Sequence, residues 1–492
     1  MISYVFCYCK VDKWSFLDSS LGLNDLRDLR LGKITYEQIL NRIIAFENSQ
    51  FIFINEDYPN TTQKLLSKVS NYLIGNNSYL EYEDSVAVLN LQYFPKDINL
   101  LSCKLEQAEA ASLPLIISEK GSENKICAVI FKAKNLKELN LPFDTPVFEA
   151  PERTFIDLYA PSEVMDLFNE GLVLRNFNSM TKGRTGYFLK HSKQKNKMKA
   201  EHEFLSSLPT AIRPFYPCCG DYIENIGNGE AGYEIELVPT LDVAKFLINS
   251  FFSSSERCQD FLNAIDRYVN AVPHKKVSVD EYKNKMTELF VRKGEKRLDS
   301  LSKVKCISRL NQIVNLFGFE SVNDFGKDYL ELIKKDIESI SDTEIYCAHG
   351  DLFFGNMLYD PSKKILKLVD PKGGSAEENM MPIWYDMAKL SHSFLGNYDL
   401  MVYGLITPYL NDSLELSLKI HKAFRRSCQL LSNEFIRYLS EKNIDIRRVR
   451  LYEGSLFLSM LPLHEESPLR MSCQLIKALE IYKYLTNTEK EK

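Results

Sequence analysis

Three short apolar runs, Ile2 to Cys7, Phe51 to Asn55 and Ile126 to Phe131, are rich in β-forming residues and separated by segments with helical spacing of their apolar positions. That alternation predicts an α/β domain over residues 1–150. Pro142, Pro146, Pro151 and Pro161 follow in a short window, and such a density interrupts regular elements, so Leu139 to Ser162 is expected to be a linker or to wrap a sheet edge. Residues 165–240 then show a small β-rich pattern with one helix. From 241 to 492 long amphipathic segments dominate, among them Lys419 to Leu439 and Leu475 to Tyr484. The expected fold class is mixed α/β and α+β: an N-terminal α/β domain, a small β-rich lobe over 165–240 and a large helical lobe over 241–492.

Composition narrows the function classes. The chain has 492 residues, 45% of them hydrophobic and 26% charged, as an ordinary globular protein of two or three domains has. Its 61 Lys plus Arg against 66 Asp plus Glu give a net charge of -5, so no broad positive field favours a nucleic-acid partner or an anionic membrane. The 11 cysteines are scattered, and neither Cys7-Tyr8-Cys9 nor Cys218-Cys219 has zinc-site spacing; they read as reduced thiols. Met1 to Cys9 runs into Lys10, Asp12 and Lys13 without the layout of a signal peptide, and no charge-free run reaches the roughly 18 residues of a membrane span. A cytoplasmic location is expected.

The chemistry concentrates in His349-Gly350-Asp351-Leu352-Phe353-Phe354-Gly355-Asn356, followed by the run Ile365 to Val369 and then Asp370-Pro371-Lys372-Gly373. Apolar runs flank the polar loop, which puts three polar side chains at the ends of short strands. Phosphoryl transfer requires in-line positioning, a proton acceptor for the attacking hydroxyl and Mg2+ to neutralise phosphate charge. Asp351 meets the second need as catalytic base, and Asn356 and Asp370 supply the oxygen ligands that hard Mg2+ prefers. Asp360-Pro361-Ser362 is a turn signal that folds the chain back and brings Asn356 towards Asp370.

The segment resembles the catalytic loop and metal site of the aminoglycoside phosphotransferase and choline kinase family, whose pattern is H-G-D-x-x-x-x-N, a strand and an Asp. The resemblance spans roughly 165–490. Within that family it is similar to kinase-like proteins of bacterial capsular and surface-polysaccharide gene sets, on Asp370-Pro371-Lys372-Gly373, Tyr385 to Ser393 and Leu456 to His464. It implies an ATP- and Mg2+-dependent small-molecule kinase acting on a hydroxyl, and a sugar-like acceptor. Pro371 and Lys372 depart from the aromatic and acidic residues common after the metal Asp. A noncatalytic scaffold in a polysaccharide-assembly complex is the alternative that this departure favours. A protein kinase is disfavoured, because His-Gly-Asp replaces His-Arg-Asp and no Ala-Pro-Glu segment follows.

A kinase-like lobe also needs a cation for the phosphates of ATP. Lys190, ending the apolar strand Gly186 to Leu189, is the candidate, with Glu201 on the next helix as its partner and Glu203 as second choice. Lys182-Gly183-Arg184-Thr185-Gly186 either turns over the phosphates or forms a plain hairpin. Tyr233 to Pro239 reads as the last strand and the hinge between lobes. Asp386 either supports the catalytic loop or serves as a cap or ion-pair partner; His392 and His464 read as structural. Around the metal Asp, Glu377, Glu378 and Asp386 balance Lys372 and Lys389, which suits an uncharged or weakly charged acceptor. In residues 1–150 the carboxylates of Asn55-Glu56-Asp57 are suggestive, but no Gly-rich loop accompanies the first strand. The resemblance implies a nucleotidyltransferase-like partner domain, and on these residues that domain is expected to be degenerate or noncatalytic.

Overall fold

The computed structural model describes residues 2–490 except 12–16, 18–20, 22, 24, 32–33, 44–49, 77–83, 97, 112–113, 120–125, 143–144, 151–153, 161–162, 165–166, 168–177, 183–185, 228 and 412–414. Two compact units divide the chain, Met1–Leu172 and Val173–Lys492.

The first unit is built on β1 (Ile2–Tyr8), β2 (Gln50–Ile54), β3 (Ser85–Asn90), β4 (Leu115–Glu119), β5 (Ile126–Lys132) and β6 (Val147–Ala150), in the spatial order β2-β1-β3-β5-β4-β6. β1 runs parallel to β2 and β3, β5 antiparallel to β3 and β4, and β6 parallel to β4. All six residues of β3 are buried, as a strand covered on both faces requires. Phe6, Val86, Val88, Val129 and Phe131 share a core with Leu65, Leu66, Val69 and Leu73 of helix α1 (Thr62–Gly75), whose first turn is capped by Thr61 accepting from the Lys64 amide. The proline-rich segment contributes β6 at the sheet edge and a short strand, Phe155–Asp157, paired with Tyr93–Pro95. Glu56 and Asp57 lie in exposed ion pairs with Lys68 at 2.5 Å and Lys10 at 2.7 Å.

The second unit begins with an antiparallel sheet of β7 (Asn178–Lys182), β8 (Tyr187–Ser192), β9 (Cys219–Gly227) and β10 (Glu230–Glu236), ordered β7-β8-β10-β9. Helix α2 (Lys195–Ser206) follows β8 and packs on β9 and β10. Gly232 allows β10 to approach β8 closely: a Cβ there would stand 2.1 Å from the Lys190 carbonyl oxygen. Beyond Leu241 the chain is mostly helical. The helices that position the site are α3 (Val243–Ile248), α4 (Ser255–Ala271), α5 (Val279–Met286), α6 (Lys293–Leu301), α7 (Trp384–Phe394), α8 (Arg425–Glu441), α9 (Ile446–Met460) and α10 (Pro468–Lys490). The mixed α/β class with a sheet lobe followed by a helical lobe is as expected.

One predicted helix is different. Within Lys419 to Leu439, the α-helix begins only at Arg425, after a 3-10 turn over Lys422–Phe424; Leu416–Ile420 pairs with Ile406–Leu410 as a hairpin. Leu416, Leu418 and Ile420 alternate with Ser417 and Lys419, and this period of two prevails before the helical spacing begins.

Candidate active site

Strand β11 (Glu344–Cys347) leads into His349-Gly350-Asp351, and β12 (Met357–Asp360) pairs with β13 (Ile365–Leu368) beyond it. Asp360 makes the tight turn by accepting from the amides of Ser362 and Lys363 at 3.0 and 3.1 Å. The hairpin returns the chain so that the Val369 amide bonds the Asn356 carbonyl at 3.0 Å, which sets Asp370 beside Asn356.

The loop is held from within and from below. His349 is fully buried, and its Nε2–H donates to the Val369 carbonyl at 3.0 Å while Nδ1 accepts from the Asp351 amide at 3.2 Å. That pair of roles needs a neutral ring, and burial pushes the His349 pKa down to about 4. From α7, the Asp386 carboxylate accepts from the amides of His349 and Gly350 at 2.8 and 2.9 Å. Of the two roles open for Asp386, the structure therefore selects loop support. Burial raises its pKa to about 6 against the lowering effect of those amides. Two supports escaped the sequence reading. Ser393 Oγ accepts from the Phe354 amide at 3.0 Å, and Asp399 is buried near Ser393 and the Gly355 amide, both of which act to lower its carboxyl against the effect of burial. Phe354 itself meets Phe394 edge to face at 4.8 Å between ring centroids, and Phe394 stacks on Phe435 at 4.5 Å, tying the loop to the core of the helical lobe.

Asp351 is partly exposed, and its Oδ1 lies 2.9 Å from Lys389 Nζ. Asn356 Nδ2 donates to the Asp351 carbonyl at 2.9 Å and to Asp351 Oδ2 at 3.1 Å, leaving the amide oxygen Oδ1 as the acceptor end. His392 contacts the Glu453 carbonyl and His464 contacts Glu466, neither of them at the loop.

Across from the loop, Lys190 Nζ bridges Glu201 at 2.5 Å and Asp370 at 2.6 Å. The Lys190 and Glu201 side chains are 4% and 1% exposed, while Asp370 is 45% exposed, so only the first pair is shielded from water. Tyr233 OH adds a hydrogen bond to Glu201 at 3.1 Å. Burial alone would depress the Lys190 pKa, but Asp370, Tyr233 and Glu201 outweigh it and hold the ammonium well above its ordinary value. Partial burial likewise opposes ionisation of Asp370, and Lys190 overcomes it, lowering that carboxyl. Asp370 adopts a left-handed backbone, φ +56°, a strained conformation of the kind concentrated at functional sites. Glu203 is half-exposed and 4.0 Å from Lys199, which leaves Glu201 as the partner of Lys190. The Gly374 amide bonds the Ala200 carbonyl at 2.8 Å, joining the segment after Asp370 to the helix that carries Glu201. Gly183, Arg184 and Thr185 of the candidate phosphate turn lie outside the described residues.

Lys190, Glu201 and Asp370 thus form one contact network, Asp351 and Asn356 another, and the Asn356–Val369 backbone bond joins the two. Among the described residues, no group of three or more His, Cys, Asp or Glu side chains is arranged to hold a metal. The oxygen pair from Asn356 and Asp370 fits Mg2+, which keeps waters and shares phosphate oxygens, and does not fit a closed zinc site.

No family model matches the chain, and no curated protein matches it. Among solved structures, it is similar to a glucosamine kinase in complex with glucosamine, ADP and inorganic phosphate, at 12% identity over 64% of this chain and 81% of that one, TM-score 0.40. A thermostable mutant of the aminoglycoside phosphotransferase APH(4)-Ia in its apo form matches at 10% identity over 62% and 94%, TM-score 0.36. Choline kinase from Cryptosporidium parvum Iowa II matches at 10% identity over 65% and 91%, TM-score 0.27. At these scores the functional reading rests on the site's own geometry. No helix among the described residues is long and apolar enough to cross a membrane.

The charge around Asp351 differs from the near-neutral balance expected along the sequence. Glu377 is paired with Lys275, Glu378 accepts from the Ser375 amide at 2.7 Å, and Asp386 is occupied by the loop. Lys293, far upstream in the chain, reaches Tyr385 OH at 2.8 Å. Lys293 thus adds a cation to this region, which linear counting misses because it comes from a different helix.

Proposed function

We propose that the protein is an ATP- and Mg2+-dependent phosphotransferase that phosphorylates a hydroxyl group of a small polar metabolite. The observation that carries this reading is the Lys190 ammonium held between Glu201 and Asp370, next to a loop that presents Asp351 and Asn356 together. Lys190 binds the phosphates of ATP, and Glu201 fixes its position. Asn356 and Asp370 would hold Mg2+, which neutralises phosphate charge when bound. Asp351 orients the acceptor hydroxyl and takes its proton as the oxygen bonds the γ-phosphorus; the bond to the β–γ bridging oxygen breaks, and ADP leaves. Asp386, His349 and Asp399 keep the loop in place for that transfer.

The acceptor is read as a sugar or sugar-like precursor, on the resemblance to kinase-like proteins of surface-polysaccharide gene sets, and the site as cytoplasmic. The first unit is read as a noncatalytic module, since its suggestive carboxylates Glu56 and Asp57 are engaged by surface lysines. Asp351→Asn tests the central role. Turnover falls about 10²- to 10⁴-fold while Mg-ATP affinity is retained, because the base touches the acceptor and not the nucleotide. Full turnover in that variant rejects Asp351 as the base.

A further inference from the structure

Cations converge beside Asp351, and of these only Lys389 forms an ion pair with it. Lys293 and Lys372 place their amino groups 5.2 and 6.0 Å from the centroid of the Tyr385 ring. Tyr385 and Lys389 stand four residues apart on α7, hence on one face, and Lys389 contacts Asp351. Lys372 is bound to the same loop: its amide donates to the His349 carbonyl at 2.9 Å, and a Cβ on Gly350 would stand 2.6 Å from Lys372 Cβ, so its side chain runs across the residue preceding Asp351. Among the described residues, Lys293, Lys372 and Arg297 form no ion pair; Lys293 has Tyr385 OH as a partner, and Lys372 has only the Met381 sulfur, at 4.0 Å.

The local fold aims these groups. A π-turn, Thr287–Arg292, separates α5 from α6. Such a turn amounts to one extra residue, which rotates the helical face beyond it by about 100°, and π-turns occur often at functional sites. Lys293 and Arg297 follow at a spacing of four, a like-charged pair on one face that weakens an isolated helix. Lys293 is also partly buried against Tyr385, and Arg297 is near enough to act on its charge. Asp351 and Asp386 act on Lys293 and Lys372 without pairing with them, so they offset only part of the cost of grouping these cations, and a bound anion would offset the rest.

Resting on the phosphotransferase reading, we propose that the acceptor carries an anionic group, a phosphate or a carboxylate, which Lys293, Lys372 and Arg297 hold while Asp351 addresses its hydroxyl. A neutral sugar would leave Lys293 and Lys372 without an ion-pair partner, and a cationic amino sugar would add a further positive charge beside them. The acceptor class is therefore an acidic or already phosphorylated polyhydroxyl compound, and the product carries two anionic groups. The class of reaction that must supply it is one that oxidises a sugar to its acid or attaches a first phosphate.

The test uses the full chain saturated with Mg-ADP and calorimetric titration with glucose, glucosamine, glucuronic acid and glucose 6-phosphate. In the expected result at least one of the two anionic probes binds about tenfold or more tightly than glucose, and glucosamine binds no better than glucose. Glucuronic acid against glucose 6-phosphate separates a carboxylate site from a phosphate site. Lys293→Gln and Lys372→Gln each abolish the preference, whereas Lys296→Gln, an exposed residue of the same helix, leaves it intact. Equal or tighter binding of glucose or glucosamine, no binding of either anionic probe, or an anion preference that survives both Gln variants overturns the proposal. Anion-selective binding without phosphoryl transfer from Mg-ATP to any probe leaves the anion site standing and counts against the phosphotransferase reading instead.

Discussion

Replacing Lys190 with methionine removes the charge at the centre of the proposed nucleotide site while keeping most of the side-chain volume. Two carboxylates lose their partner, but not equally. Glu201 is 1% exposed and depends on Lys190 at 2.5 Å; breaking a buried pair from one side costs about 3–5 kcal/mol. Glu201 keeps Tyr233 OH at 3.1 Å and Lys197 at 3.5 Å, which puts the loss at the lower end. Asp370, 45% exposed, is screened by water and adds at most about 1 kcal/mol. The expected total is about 3 kcal/mol, a fall of about 5 °C in the Tm of the second unit, which exceeds the size range for which about 2–4 °C per kcal/mol holds. Glu201→Gln is milder, because Lys190 still has Asp370 at 2.6 Å and a Gln oxygen can accept from Tyr233. The double variant costs less than the sum of the two, as members of one network do. Thermal and urea unfolding give the stabilities, and calorimetry gives Mg-ATP affinity, which falls about tenfold or more in Lys190→Met. Wild-type stability and wild-type Mg-ATP affinity in Lys190→Met would refute the reasoning.

Asn356→Ala and Asp370→Ala each remove an oxygen donor, so both weaken Mg-ATP binding as well as turnover; unchanged calorimetric affinity in both contradicts their assignment as metal ligands. Asp386, with a folded pKa of about 6 above an ordinary carboxyl near 4, gives a pH signature. Between those two values the native state binds more protons than the unfolded chain, so its contribution to stability declines as pH rises through that window, by about 3 kcal/mol at most. Asp386→Asn flattens this slope and also lowers turnover, because an amide oxygen replaces two carboxylate oxygens under the His349 and Gly350 amides. A pH–stability curve of unchanged slope in that variant counts against the buried-carboxylate account.

What the sequence made legible was what is local. His349 to Asn356 and Asp370 belong to one strand–loop–hairpin unit, and their spacing, with the Asp360 turn, was enough to bring them together. Lys190 and Glu201 are legible for the same reason, lying on one strand and on the helix that follows it. Ser393 and Asp399 were not, because they act on backbone amides of Phe354 and Gly355 from later helices, and nothing in their own neighbourhood marks that use. Lys293 was hidden for a further reason: the π-turn before it shifts the helical face, so ordinary helical spacing points it elsewhere. The hairpin before α8 was misread because a run of Leu and Ile with intervening polar residues satisfies both periods over a few positions.

Phosphoryl transfer itself is the claim to measure, with ATP consumption and product mass followed together over a panel of neutral and acidic sugars, amino alcohols and nucleosides in the presence of Mg2+. The account predicts at least one acceptor that gains a single phosphoryl group with stoichiometric ADP, and loss of that product in Asp351→Asn. Absence of Mg-ATP binding together with no phosphorylated product from any acceptor would contradict it and favour a noncatalytic scaffold.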